Sequence, residues 1–125
     1  MNIQRALDMA DQMKPNMMSR QNKIQFLQEL DQMIYEELLL THVHTAEEEV
    51  MPEYDIDTEE GTELLAPDRY GMMYVYWIMT RIDQLNQEEE KENNDRARFE
   101  NKYEEMSDWW TRTKRPLPCR PFYRI

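Results

Sequence analysis

Apolar residues recur at spacings of three and four in four separate stretches, and each stretch reads as one face of a helix. The first stretch aligns Ile3, Ala6, Leu7, Ala10 and Met13. It stops at Lys14-Pro15-Asn16, because proline disfavours helical backbone in the residue before it. Ser19 stands where it can cap a second helix, predicted from Arg20 to about Leu40. Its stripe is Ile24, Leu27, Leu30, Ile34 and Leu38, widened by Tyr35 and Leu39, with Asp31 on the margin. A third helix enters at Leu64-Leu65-Ala66-Pro67-Asp68, with Pro67 tolerated in the first turn. Tyr70, Met73, Tyr74, Trp77, Ile78 and Ile82 line one side, and Met72, Val75, Tyr76 and Met79 fill the others. A helix apolar nearly all round is covered on several sides, so it belongs at the centre. The fourth, roughly Glu88 to Arg112, carries Phe99, Tyr103, Met106 and Trp110. Glu88, Glu89 and Glu90 at its start and Arg112 and Lys114 at its end suit the helix dipole.

The period fails between the second and third helices. In 41–66, Thr41, Val43 and Thr45 alternate with His42 and His44, and an acid-rich run follows with Val50, Met51, Pro52, Tyr54 and Ile56 set into it. This reads as a long acidic loop, with room for a short strand or hairpin, that orders against a neighbour. At the other end Pro116, Pro118 and Pro121 prevent a helical hydrogen-bond ladder. The fold class is therefore all-α: a small four-helix bundle over 1–115, with the acidic loop at 41–66 and an extended basic arm at 116–125.

Charge sharpens the picture. Between Glu47 and Glu63 there are nine acidic residues and no basic one. After Asp108 come Arg112, Lys114, Arg115, Arg120 and Arg124 with no acid. The net charge of −11 argues against nonspecific nucleic-acid binding over the whole surface. Two glycines are too few for a hairpin-rich fold or a phosphate-cradling loop. One cysteine, Cys119, forms neither an internal disulfide nor a thiol-rich metal site. The first residues lack the unbroken apolar run of a secretory signal, and no stretch has the length of a membrane span, so cytoplasmic synthesis is expected.

Candidate chemistry is thin. His42-x-His44 has a spacing that metals use, but lacks a third ordered ligand, so solvated or interface histidines are the reading. Asp31 and Asp83 are the two acids set against apolar helix faces, and a buried ion pair, with Arg81 or another helix, is the expected role. No nucleophile elbow, P-loop or dinucleotide fingerprint is present. Trp109 is rotated by about 100° from core-facing Trp110 and points outward as an interface anchor. The arm combines arginines for carboxylates with Phe122 and Tyr123 for pockets, which favours protein docking over phosphate contacts.

Four segments, in this order, carry a likeness: IQRALDMADQMKPN, KIQFLQELDQMIYEEL, LLAPDRYGMMYVYWIMTRIDQLNQE and YEEMSDWWTRTKRP. Covering most of 1–116, they resemble a family of small helical tailed-phage head–tail connector proteins, also called head-completion or adaptor proteins. None is a catalytic signature; the likeness rests on order and spacing. It implies a structural protein without enzymatic activity or cofactor, found in the neck of the virion after assembly in the host cytoplasm. Copies would form a ring on the portal protein, a dodecamer matching the portal, and present the far side to the next tail or neck component. By this resemblance Arg112, Lys114, Arg115, Cys119, Arg120, Phe122, Tyr123, Arg124 and Ile125 form the portal-docking arm. Glu47, Glu48, Glu49, Glu53, Tyr54, Asp55, Asp57, Glu59, Glu60 and Trp109 would lie at a subunit boundary or along the channel, where DNA passes without specific binding. Relatives are expected to turn on a glycine after the third helix, where this chain has Asn86-Gln87. The arm beyond Pro116 is longer and more aromatic than the likeness covers, so its docking role rests on its own chemistry. The rival readings are a small acidic regulator or DNA mimic that binds a basic partner, and an assembly chaperone.

Overall fold

The computed structural model describes residues 1–117. The arm residues Cys119, Arg120, Phe122, Tyr123, Arg124 and Ile125 lie outside the described residues. Four α-helices make up the body: α1 (Ile3–Met13), α2 (Arg20–Ile34), α3 (Met72–Leu85) and α4 (Glu89–Thr113). Among the described residues there is no strand, so the all-α class holds.

Each helix forms where its caps and stripe place it. Asn2 Oδ1 accepts from the Arg5 amide at 2.8 Å and opens α1, and Ser19 Oγ accepts from the Asn22 amide at 3.2 Å and opens α2. The α1 stripe buries Ile3, Ala6, Leu7 and Ala10, but Met13 is 46% exposed. The second helix reaches as far as expected, yet its end is not an α-helix. Tyr35–Leu39 form a π-helical turn, with the Leu40 amide donating to Tyr35 O at 3.0 Å. Tyr35, Leu38 and Leu39 are all buried along this turn.

Helix α3 is central, packing on α1, α2 and α4. Met73, Tyr74, Val75, Ile78 and Ile82 are almost fully buried on it. Its entry is later than the sequence suggests. Pro67 precedes a tight 3-10 turn, Asp68–Tyr70, and the α-helix proper starts after Gly71. A Cβ on Gly71 would stand 3.0 Å from the Met1 side chain and 3.2 Å from Asp68 O, so the glycine permits close packing of the first residue.

The α3–α4 turn has the geometry of a glycine turn without the glycine. Gln87 has φ 58°, the Glu88 amide donates to Asp83 O at 3.0 Å, and the Gln87 amide donates to Gln84 O at 3.3 Å. This is a Schellman ending with glutamine in the left-handed position. Helix α4 then buries Asp95, Phe99, Met106 and Trp110, and Trp77, Phe99 and Tyr103 stack in sequence at 5.0 and 5.8 Å between ring centres.

The segment 41–66 holds a short 3-10 turn, Ala46–Glu48, and is otherwise irregular. It straps across its own body, where the sequence led us to expect a loop ordered by a neighbour. The domain boundary expected at Arg115 falls inside a paired stretch. The Val43 amide donates to Arg115 O and the Leu117 amide to Thr41 O, both at 2.8 Å. His42 and Pro116 face each other between these bonds, at a position where proline's missing N–H costs nothing. The paired stretch thus includes Arg115 and Leu117.

Candidate interaction surfaces

The acidic strap is fastened by polar side chains of α2. Gln28 Oε1 accepts from the Tyr54 amide at 2.8 Å, Gln25 Nε2 donates to Tyr54 O at 3.2 Å, and Gln32 Nε2 donates to Pro52 O at 3.0 Å. Residues 25, 28 and 32 share one helix face, so three glutamines replace the backbone ladder that a strand would supply. Below them Asp31 has no exposed surface. It accepts from the Tyr54 hydroxyl at 2.5 Å, the Tyr74 hydroxyl at 2.6 Å and the Leu65 amide at 3.2 Å. The Tyr74 oxygen in turn accepts from the Ala66 amide at 2.8 Å.

Two expectations are corrected here. Asp31 is not in an ion pair: its partners are neutral donors, because two tyrosines reach it from the strap and from α3. Tyr54, expected at a subunit boundary or channel, is buried against its own body, since its ring fills the space over α2. Burial pushes the Asp31 carboxyl above its usual range, and the two tyrosine bonds and the Leu65 amide only partly oppose that. Both hydroxyls are held neutral, far above ordinary tyrosine values, by burial and by the facing carboxyl.

The other strap acids face outward. Glu47, Glu48, Glu49, Glu53, Asp55, Asp57, Glu59 and Glu60 are all exposed. Glu48 lies 3.8 Å from Lys114, Glu49 lies 2.7 Å from His44 and Glu60 lies 3.6 Å from Arg20. Bonds from the Thr45 amide and hydroxyl hold the Glu48 carboxyl below its usual range. Between the acids Val50, Met51 and Ile56 are exposed, so the outer face alternates acid and apolar groups.

The root of the arm begins on this face. Lys114 stands 4.8 Å over the Trp110 ring as well as near Glu48, and Arg115 is exposed. Arg112 is exposed at the edge of an open cleft of about 530 Å³ that also involves Tyr70, Glu105, Asp108 and Thr111. Trp109 is half-buried, 6.2 Å from the Tyr70 ring and edge-on to Trp110, so only part of it is free to act as an outward anchor.

His42 is buried. Its Nδ1 lies 2.7 Å from Leu38 O and its Nε2 lies 3.2 Å from Thr111 Oγ1. The pair is thus a structural joint between the π-helical turn, the strap and α4, rather than two solvated rings. Among the described residues no group of three His, Cys, Asp or Glu side chains is placed to hold a metal ion.

A second buried cluster joins three helices. Lys14, just past α1, ion-pairs with Asp83 on α3 and lies 3.0 Å from Asp95 on α4. Asp83 was expected in a buried ion pair with Arg81 or another helix, and the partner is Lys14 rather than Arg81. The Arg81 guanidinium meets Glu29 at 2.5 Å and lies over Phe26 and Trp77, because residues two apart on a helix point to nearly opposite sides. Burial, with Asp95 next in weight, pushes the Asp83 carboxyl up to about 6. Burial pulls Lys14 down, but its bonds to the two carboxylates leave it above the ordinary lysine value. The local sequence marks Asp83 as a buried acid but not Lys14 or Asp95 as its company, which depends on three helices meeting.

Comparison with protein-family models, with curated proteins and with solved structures gives no match. Among the described residues no helix is long and apolar enough to cross a membrane.

Proposed function

We propose that this chain is a structural head–tail connector subunit of a tailed phage. Copies form a ring on the portal, join capsid to tail and line the channel through which DNA passes. In this reading the protein is a virion neck component with no enzymatic role. Its partners are the portal, its own neighbours and the next tail or neck component.

The observation that carries the reading is the fixed display of opposite charge at one side of a helical body. The strap holds its acids outward, and the arm root emerges beside the start of that strap, at Lys114 and Arg115. Head-to-tail ring contacts need two different, complementary patches on each subunit, and this arrangement supplies them. A negative lumen would pass DNA without holding it. The order of the four helical segments supports the same family.

The test is co-sedimentation with purified portal, comparing the full chain with a chain stopped after Leu117, which keeps the paired root. Binding by the full chain alone, weakened by salt, is the expected result. Absence of binding by both chains would refute the connector reading.

The acidic-regulator reading has one observation in its favour: the strap is fastened to α2, and such a regulator requires an ordered acidic surface. It predicts that the chain stopped after Leu117 binds a basic partner as well as the full chain does, and that strap charge reversal abolishes this binding.

A further inference from the structure

The joint between strap and arm is held by a histidine whose surroundings specify its charge. His44 Nδ1 lies 2.7 Å from His42 O, and its Nε2 lies 2.7 Å from Glu49 Oε1. A backbone carbonyl and an ionised carboxylate can only accept hydrogen bonds. Both ring nitrogens must therefore donate, which a neutral imidazole cannot do. The ring is mostly covered, while the Glu49 side chain is half exposed.

The neighbours make this contact consequential. His42 O, which His44 holds, lies between the two backbone bonds that fasten the arm root to Thr41 and Val43. Glu49 closes the 3-10 turn Ala46–Glu48, and Glu48 in that turn reaches Lys114 at 3.8 Å. An open cleft of about 400 Å³ beside His44 is lined by Val43, Glu48, Thr113, Lys114 and Arg115. The titratable and charged groups around the ring, among the described residues, are thus Glu48, Glu49 and His42 from the strap, and Lys114 and Arg115 from the end of α4 and the arm.

We propose that these elements form a proton-held clasp. His44, as an imidazolium, ties His42 O to Glu49 and so keeps the arm root closed on the strap, and loss of its proton frees the root for docking. When Nε2 loses its proton, a lone pair faces the Glu49 carboxylate. The carboxylate turns away, the 3-10 turn loses a tether, and the Glu48–Lys114 contact loosens with it. The hydrogen bond to His42 O and the pairing with Glu49 both raise the His44 pKa above the ordinary histidine value, so the clasp stays closed to higher pH than an ordinary histidine would allow. The sign follows from this: a raised histidine value gives stability that is full at low pH and is lost as pH rises through the folded value. The clasp goes beyond the connector reading, because every contact in it lies within the isolated chain.

Proton NMR of the two histidine rings, with amide shifts and exchange of Val43 and Leu117 across pH 5.5–8.5, tests the clasp on the full chain. His44 is expected to titrate above about 6.5. The Val43 and Leu117 amides are expected to shift with the His44 midpoint, and their exchange, corrected for intrinsic rate, to rise about two- to five-fold above it, the range an exposed pair supports. Glu49→Gln should lower the His44 midpoint while leaving the fold intact. His44→Gln should make both amides insensitive to pH. The proposal is overturned if His44 titrates at or below about 6.5. It is equally overturned if the two amides stay flat through the His44 midpoint, or if they follow His42 instead. Portal binding is not read in this experiment, so failure of the clasp and failure of the connector reading are separate results.

Discussion

Removing one hydroxyl from the strap, by Tyr54→Phe, is expected to cost about 2 kcal/mol of stability at pH 7. That hydroxyl donates to Asp31 at 2.5 Å, and Asp31 has no exposed surface and no cationic partner among its hydrogen bonds. A bond to a charged group contributes roughly 1.5–3 kcal/mol, against about 1 for a neutral pair. Phenylalanine keeps the ring and its packing, so no cavity adds to the loss. Asp31 retains Tyr74 and the Leu65 amide, which keeps the figure below the cost of stripping the carboxylate bare. A loss of about 2 kcal/mol corresponds to roughly 30-fold in the folded-to-unfolded ratio. Urea denaturation measures it as a lower midpoint at unchanged slope. The loss should also depend on pH. Burial already raises the Asp31 carboxyl, and removing a donor to its ionised form raises it further. A raised carboxyl makes the folded state bind its proton more tightly, so the penalty is largest at pH 7 and shrinks as pH falls through the raised value. Tyr74→Phe should cost more, since it also strips the acceptor of the Ala66 amide. A Tyr54→Phe loss below about 0.5 kcal/mol at pH 7, or one that does not change with pH, would refute this account of the strap.

Three further outcomes follow from the contacts described. Asp83 titrates near 6 in the folded chain against an ordinary 3.8, so its share of stability is greatest below about pH 4 and declines as pH rises to 6. Asp83→Asn should flatten melting temperature against pH across that window. Gln87→Gly should raise stability by about 1 kcal/mol, seen as about 3–5 °C in thermal melts, because glycine carries no penalty at φ 58°. Gly71→Ala should lower stability by roughly 1 kcal/mol in the same melts, since its Cβ would press on Met1 and on Asp68 O.

The helices were legible because each is a local pattern. Ile24, Leu27, Leu30 and Ile34 announce α2, Ser19 announces its start, and the all-round apolar run from Met72 to Ile82 announces the central position of α3. The π-helical turn was not legible, because adjacent Leu38 and Leu39 fit an α-helical stripe on paper and the choice depends on what lies opposite. The strap was recognised as acidic and long, but its fastening was missed. Nothing in their own positions on α2 marks Gln25, Gln28 and Gln32, whose partners Pro52 and Tyr54 come from the strap. One signal was available: Tyr54 is an aromatic residue in a run of acids, and such a residue needs somewhere to go. Asp31 and Asp83 show the same limit, since the pattern marks a buried acid but not what supplies its partner, and Asp95 was not marked at all.

The strap's construction bears on what its charge is for. A loop with nine acids between 47 and 63 repels itself, and an unfastened chain would relieve that by spreading into solvent. Here the backbone is instead fixed at Pro52 and Tyr54 by three glutamines and a buried carboxylate. Fixing it costs conformational entropy and confines the repulsion, and burying Asp31 without a cation adds to the cost. None of these terms favours a segment whose role is only to connect α2 to α3, which a few residues could do. They fit a segment whose outward acids must stand at set positions. A fixed acidic face selects for position as well as sign in whatever meets it. The arm root is held beside that face through Lys114 and the pairing with Thr41 and Val43, and so is already placed against it.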